Sequence, residues 1–359
     1  MSWATPQYDR REVNEAGDHL IADGSIIWSV DREQMLSIIN NWRSSHSFPL
    51  QSFKMTLLGR AKRVDTKAII AQRLKRLSSI DAKLRRFSGM RLAQMQDIGG
   101  CRAVVENIRR LERLVRLYER GRSKNPTRRH EFVKEKDYIN NRKSDGYRSI
   151  HLVYRYRSAA KKHAIYNGLK IEIQLRSRLQ HAWATAVETV SIFTGQALKS
   201  SGGEDEWRRF FILMGSAIAL REKQPLVPGT PTDKAELITE LRALTQKLNV
   251  ANLLSGWSYA LKILPAKNVT DAVAFLVYLN TPARVVTTTG FKKEELPQAE
   301  EAYLNLEKTI PSDSGSQAVL VSVESVQAIR GAYPNYYLDT DAFLRALRFS
   351  LSTKTVRDN

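Results

Sequence analysis

The residues best suited to chemistry lie in two short runs. In Ile171-Glu172-Ile173-Gln174-Leu175 the period-two alternation of a strand puts a carboxylate and an amide on one face and three aliphatic side chains on the other. Tyr147 to Leu152 follows Asp145-Gly146, a strong turn signal. Alternation there sets Tyr147, Ser149 and His151 opposite Arg148, Ile150 and Leu152. Two strands can thus present a phenol ring, an imidazole, a carboxylate and an amide toward one cleft.

The upstream segments are suited to bringing phosphates to that cleft. Residues 60–91 hold 11 Lys and Arg against two acids, Asp65 and Asp81. Within them Arg73, Lys75, Ser79 and Lys83 combine bidentate donors, point charges and a neutral hydroxyl, the mixture a triphosphate requires. Asp97 precedes the strand-like Cys101-Arg102-Ala103-Val104-Val105 and offers carboxylate oxygen to a hard cation. Gly99-Gly100 lacks the third glycine and the strand-before-turn context of a dinucleotide fingerprint. Cys101 reads as a buried core thiol, and His130-Glu131 has no second ligand at metal spacing.

The rest of the chain must position these groups. Helical periodicity runs through Asn107–Arg120, Ser177–Leu198, Glu204–Glu222 and Asp233–Leu248. Strand-like runs at 256–264, 272–279, 283–289 and 317–323 flank an acidic helix at 293–308, and Tyr333–Tyr337 precedes a capped helix. The proline-rich stretch 224–232 marks a boundary between residues 1–224 and 225–359. Of 359 residues 42% are hydrophobic, enough for sizeable cores, and the single cysteine excludes a disulfide framework. No secretory h-region and no apolar run of membrane-spanning length are visible, so a reducing, cytoplasmic setting without membrane contact is expected. The formal net charge is +20, yet residues 225–359 carry 14 basic and 14 acidic side chains, so the whole excess lies in 1–224. A basic half joined to a neutral half points to a polyanion-binding module with an appended partner domain.

Four motifs in order resemble the synthetase domain of the RelA/SpoT family, over residues 57–200. They are Arg73-x-Lys75-x-x-x-Ser79-Ile80-x-x-Lys83; Asp97-x-x-Gly100-x-Arg102; Lys136-Asp137-Tyr138-Ile139 with Gly146-Tyr147-Arg148-Ser149-Ile150-His151; and Glu172-Ile173-Gln174-Leu175-Arg176. Gln180-His181-Ala182-Trp183-Ala184 resembles the helix that follows in short synthetases. The resemblance implies an α+β, nucleotidyltransferase-like mixed sheet flanked by helices, with a smaller α+β C-terminal domain. It implies pyrophosphate transfer from ATP to a ribose 3′-hydroxyl with release of AMP. Asp97 and Glu172 would bind Mg²⁺, and Glu172 would serve as general base. Arg73, Lys75, Ser79, Lys83 and Arg102 would hold ATP, while Lys136, Tyr147, Arg148, His151 and Gln174 would hold the acceptor. No His-Asp dipeptide exists, so the hydrolase half of the long family members is not expected.

The acceptor has alternatives. A wide basic surface suits tRNA phosphates, and the chain resembles the toxic small alarmone synthetases that act on the 3′ CCA end of tRNA. A guanine nucleotide, GDP or GTP, giving (p)ppGpp, is the second reading, and a non-catalytic RNA-binding regulator the third. The neutral half resembles the antitoxin part of fused, CapRel-type phage-defence proteins, with Tyr333-x-x-Tyr336 as its neutralising motif. That implies autoinhibition released by a phage structural protein such as a capsid subunit.

Overall fold

A computed structural model describes residues 3–22, 31–120, 130–194, 205–248, 250–251, 254, 272–280, 283, 285–311, 317–322 and 341–352. Three helices lead the chain: α1 (Arg10–Ile21), α2 (Asp31–Ser44) and α3 (Ser47–Val64). Asp9 starts α1 by accepting the Arg11 and Glu12 amides while Glu12 reaches back to the Asp9 amide, a reciprocal cap that satisfies donors the helix cannot. There follow β1 (Ile69–Leu74), α4 (Leu77–Arg86), β2 (Gly99–Val105), α5 (Ile108–Arg120), β3 (Glu131–Asp137), β4 (Ile150–Arg155), α6 (Lys161–Ala164), β5 (Lys170–Ser177), α7 (Arg178–Thr194) and α8 (Asp205–Glu222). Beyond residue 225 come α9 (Lys234–Lys247), β6 (Ala274–Asn280), β7 (Val285–Phe291), α10 (Leu296–Thr309), β8 (Gln317–Ser322) and α11 (Asp341–Leu351).

The fold is mixed α+β. One sheet runs in the order β3-β4-β5-β2-β1-β8-β6-β7. Among the described residues only β2 and β5 pair in parallel, and every other neighbour is antiparallel. One face of the central strands is apolar and covered: Ile171, Ile173 and Leu175 of β5 are fully buried with Leu57 of α3 and Leu111 and Leu114 of α5. Each such side chain contributes roughly 1.5–3 kcal/mol on leaving water. The arginines of α5 lie off this stripe, as its 3.6-residue period dictates. A second core joins α7 and α8 to α9 and α11, where the Phe343 ring lies 5.8 Å from Phe211 and 6.1 Å from Phe210. Residues beyond 225 therefore extend the same sheet, through β8 on β1, and complete the α7–α8 core.

The basic run 60–91 ends α3, forms β1, then α4, so Arg73 stands on a strand and Ser79 and Lys83 on a helix. One local expectation changes. The strand expected from Tyr147 begins at Ile150. The turn extends further because the Asp145 carboxylate accepts the Tyr147 amide at 2.9 Å, and Gly146 has φ +85°, a left-handed backbone that only glycine takes without strain. A Cβ there would also stand 3.1 Å from the Trp183 ring. The strand expected at 256–264 and the Tyr333-x-x-Tyr336 motif lie outside the described residues. Among the described residues no helix is long and apolar enough to cross a membrane.

Candidate active site

The open face of the central strands forms the floor of the site. Alternation along β5 sends Lys170, Glu172, Gln174 and Arg176 to this face. The parallel register of β2 sets Gly100 beside Glu172 and Arg102 beside Gln174, and β4 sets His151 beside Gln174 from the other side. The two parallel strands approach closely because residue 99 is glycine: a Cβ there would lie 2.7 Å from the Ile171 Cδ1.

Glu172 is buried in this floor and fully held. Its Oε1 lies 3.0 Å from His151 Nδ1, and its Oε2 accepts Gln174 Nε2 at 2.8 Å. The chain of contacts continues: His151 Nε2 is 2.8 Å from the Tyr147 hydroxyl, which accepts Arg176 Nη2 at 2.6 Å. Arg102 Nε donates to Gln174 Oε1 at 3.3 Å. Burial pushes the Glu172 carboxyl up, but the neighbouring His151, by charge and hydrogen bond, outweighs it and the group is held down at about 2. The same chain affects its other members. Burial opposes charge on His151, yet Tyr147 and Glu172 raise it, and Tyr147, despite burial, is lowered to about 7 by Arg176 and His151.

A second carboxylate stands at the mouth. Asp97 lies two residues before β2, and the Lys75 amide donates to the Ile98 carbonyl at 2.7 Å, which locks the end of β1 against it. Asp97 Oδ2 takes Lys75 Nζ at 3.0 Å and Oδ1 takes Lys83 Nζ at 2.8 Å. Burial penalises its charge, but the two ammonium groups prevail and hold it far below the ordinary carboxylate range. Ser79 lies one turn before Lys83 on α4, where it accepts Arg76 Nε at 3.4 Å.

These groups line two joined spaces. A narrow one is bounded by Arg73, Lys75, Asp97, Arg102, Glu172 and Gln174. The other is an open cleft of about 930 Å³ whose cations are Lys83, Arg86, Lys134, Lys136 and Lys170, with Asp97 and Glu172 as its acids. Phe87, 47% exposed, stands on its rim. Burial together with the neighbouring Lys136 and Lys83 lowers the Lys134 ammonium, the strain of like charges gathered to meet an anion.

The structure thus brings together Arg73, Lys75, Lys83, Asp97, Arg102, Lys136, His151, Glu172 and Gln174, with Tyr147 linked through His151 and Ser79 one turn before Lys83 on α4. It does not bring Arg148 to the cleft. In the turn before β4 that side chain points to the opposite face, where its Nη2 donates to the Pro225 carbonyl and its charge faces Glu222. Sequence reasoning missed Lys134, Lys170 and Arg176, although each continues the alternation of a residue it had found: Lys134 with Lys136, Lys170 and Arg176 with Glu172 and Gln174. It also missed Arg86 and Phe87, which no periodicity singles out. Cys101 is buried and its thiol is pushed up by burial, as a core group. His130 packs on Phe53 and Tyr156.

The donor set fits a divalent cation. Asp97 and Glu172 are both ionised and border the same two spaces. Among the described residues no group of three or more protein ligands is gathered. Magnesium bound alongside a nucleotide needs no more than one or two carboxylates, since phosphates and water complete its shell.

Residues 72–194 match the model of the region found in RelA / SpoT proteins, and that span contains every cleft residue named above. A comparison with curated proteins finds no match. Among solved structures the chain is similar to small alarmone synthetase 1 from Bacillus subtilis bound to its product pppGpp, at 22% identity and TM-score 0.41 over 54% of this chain and 94% of that one. It is similar to a GTP pyrophosphokinase family protein from Streptococcus pneumoniae at 22% identity and TM-score 0.40, over 54% and 91%. The corresponding values for small alarmone synthetase 2 from Bacillus subtilis are 19% identity and TM-score 0.41, over 54% and 95%.

Proposed function

We propose that the cleft transfers pyrophosphate from ATP to a ribose 3′-hydroxyl. The carrying observation is the convergence, inside the segment matching the RelA / SpoT region, of two ionised carboxylates with a surrounding excess of cations. In the reaction the acceptor oxygen bonds to the β-phosphorus, the bond from that phosphorus to the α–β bridging oxygen breaks, and AMP leaves. Arg73 and Arg102 hold the adenine nucleotide in the narrow space, and Lys75, Ser79 and Lys83 take its phosphates. Lys75 and Lys83 do so by exchanging Asp97 for phosphate oxygen, which frees Asp97. Magnesium, held by Asp97 and Glu172, would supply charge neutralisation of the polyphosphate. Glu172, kept ionised and aimed by His151 and Gln174, accepts the hydroxyl proton as the new bond forms. The chain Arg176–Tyr147–His151 fixes that carboxylate and presents the Tyr147 ring to the acceptor base.

The acceptor this site suits best is the 3′ end of tRNA. Lys134, Lys136, Lys170 and Arg86 add cations to the cleft beyond the group assigned to ATP, and the basic excess lies wholly in 1–224. GDP or GTP is the second reading, favoured by the similar synthetase whose bound product is pppGpp. A non-catalytic RNA-binding regulator has no need of two ionised carboxylates in the cleft. The regulatory part of the proposal is that residues 225–359 restrain the enzyme through Tyr333 and Tyr336 and that a phage structural protein releases it. It rests on the sequence resemblance, and toxicity on expressing a Tyr333→Ala/Tyr336→Ala chain, absent with the parent chain, is its expected sign.

The test uses ATP labelled at the β-phosphate with Mg²⁺ and either tRNA or GDP and GTP, for the parent chain and the Tyr333→Ala/Tyr336→Ala chain. Label on tRNA is expected, with an apparent affinity that falls steeply as salt rises. Label on a guanosine nucleotide alone would establish the second reading, and no transfer by either chain would refute both.

A further inference from the structure

A buried polar joint ties α10 to the back of the nucleotide segment. Arg43, on α2, is 1% exposed. Its Nε donates to the Lys75 carbonyl at 3.0 Å, its Nη1 donates to Asn40 Oδ1 and to Glu307 Oε2, each at 2.9 Å, and its Nη2 donates to the Tyr303 hydroxyl. The Tyr303 hydroxyl donates to Glu307 Oε1 at 2.9 Å, and the same oxygen accepts the Leu77 amide at 2.8 Å. The Arg43 guanidinium also lies 5.0 Å over the Tyr303 ring. A buried guanidinium is tolerable only when paired in this way.

The placement of the joint gives it a purpose. Leu77 is the first residue of α4, the helix that carries Ser79 and Lys83. Its N-cap, Arg76, makes no side-chain cap hydrogen bond, and the first turn holds no acid. Helix N-termini leave unpaired amides and favour a negative charge, and here Glu307 supplies it from a remote part of the chain. Lys75 is held at both ends: its ammonium faces forward to Asp97, its carbonyl backward to Arg43. The joint stands behind the cleft, since none of its three side chains lines either space. A second link reaches the same segment independently, through the pairing of β8 with Gln72 and Arg73 of β1. Arg43, Tyr303 and Glu307 all fall outside the span that matches the RelA / SpoT region.

We infer that Glu307 and Tyr303 are positioning residues for the nucleotide segment: α10 caps α4 and, through Arg43, fixes Lys75, so the ATP site is complete only while α10 is docked. This rests on the proposed role of Arg73–Lys83, and it makes α10 a support of that site, separate from and opposite in effect to the restraint proposed for Tyr333 and Tyr336. Whatever lifts α10 loosens the phosphate-binding lysines together.

Two measurements on the full chain test it. Hydrogen exchange needs no ligand: Glu307→Gln should speed exchange at the amides of residues 77–83 and leave both hydrophobic cores unchanged. Titration with ATP and Mg²⁺ should show affinity weakened about tenfold, the scale of one lost charge-assisted hydrogen bond, with acceptor affinity unaltered. Tyr303→Phe, which keeps the buried ring, should move both readouts the same way by less, and it serves if Glu307→Gln does not fold. Unchanged exchange at 77–83, or acceleration spread through both cores, would overturn the inference, as would ATP affinity within twofold of the parent. A parent chain that binds no ATP would remove the nucleotide reading, and the exchange pattern would still decide whether α10 braces α4.

Discussion

Glu172 and Glu222 are equally buried, 8% and 7% exposed, and both are fully hydrogen bonded, yet they sit in opposite electrostatic states. Glu172 faces the cleft and is held at about 2 because burial is outweighed by His151. Glu222 faces the α7–α8 side, where Ser177 Oγ and Gln180 Nε2 donate to it. There burial wins over those hydrogen bonds and over Arg148, and its carboxyl is raised. The two clusters grow from β4, β5 and the turn before β4: His151, Glu172 and Gln174 point one way, Arg148 and Ser177 the other. Burial and hydrogen bonding therefore do not distinguish the carboxylate proposed to act in catalysis from the other. What separates them is whether burial or the neighbouring positive charge prevails.

The sharpest way to break this comparison is to neutralise each carboxylate. Glu172→Gln should lower transfer by about a thousandfold or more, the scale of removing a group that acts on the reacting atoms, with the fold retained by circular dichroism. Glu222→Gln should leave kcat within a few-fold. Equal losses in the two variants would erase the distinction. Asp97→Asn should cost on the order of a hundredfold, and should raise the Mg²⁺ concentration needed for half-maximal rate. A variant with unchanged metal dependence would take Asp97 out of the metal site.

Smaller effects separate the two faces further. Lys136→Ala should raise the tRNA KM several-fold and flatten its dependence on salt by about one phosphate contact. Arg148→Met should leave that KM unchanged and lower stability instead, by roughly 1–3 kcal/mol for the partners left unpaired. The reverse pattern would return Arg148 to the acceptor site.

The smallest effect is a pH dependence of opposite sign. Glu172 has a folded value below its ordinary 4.5, so its stabilisation is complete above 4.5 and is lost as pH falls through about 2. Glu222 has a raised folded value, so its contribution is complete below 4.5 and is lost as pH rises through that higher value. Glu222→Gln should accordingly gain on the parent chain as pH rises from 4 toward neutrality, in urea midpoints taken across that range. A difference independent of pH would mean that folding leaves the proton affinity of Glu222 unchanged.

Much of the cleft was legible because a strand's alternation is a local property. Ile171–Leu175 shows which side chains share a face, and basic residues spaced around Asp97 announce an anion site. Extending the same rule to Lys134, Lys170 and Arg176 would have recovered most of the missed lining. Arg148 shows the limit of motif-based assignment: it lies inside a matching motif, but the turn before β4 directs it away. The α10 joint was not legible at all. The helix expected at 293–308 was found as α10, yet no local signal tells that Glu307 caps α4 or that β8 lies beside β1, since pairing between remote segments leaves no mark on either one's periodicity. Arg43 likewise reads as an ordinary basic residue of α2 until Tyr303 and Glu307 surround it.

The most direct measurement follows the β-phosphate of ATP. The parent chain, the Tyr333→Ala/Tyr336→Ala chain and the same chain carrying Glu172→Gln would be incubated with labelled ATP, Mg²⁺ and tRNA, and products separated. The account predicts that the active chain places the label on tRNA with one AMP released per transfer, and that Glu172→Gln abolishes both while remaining folded. Release of ADP, or transfer that survives Glu172→Gln, would contradict it.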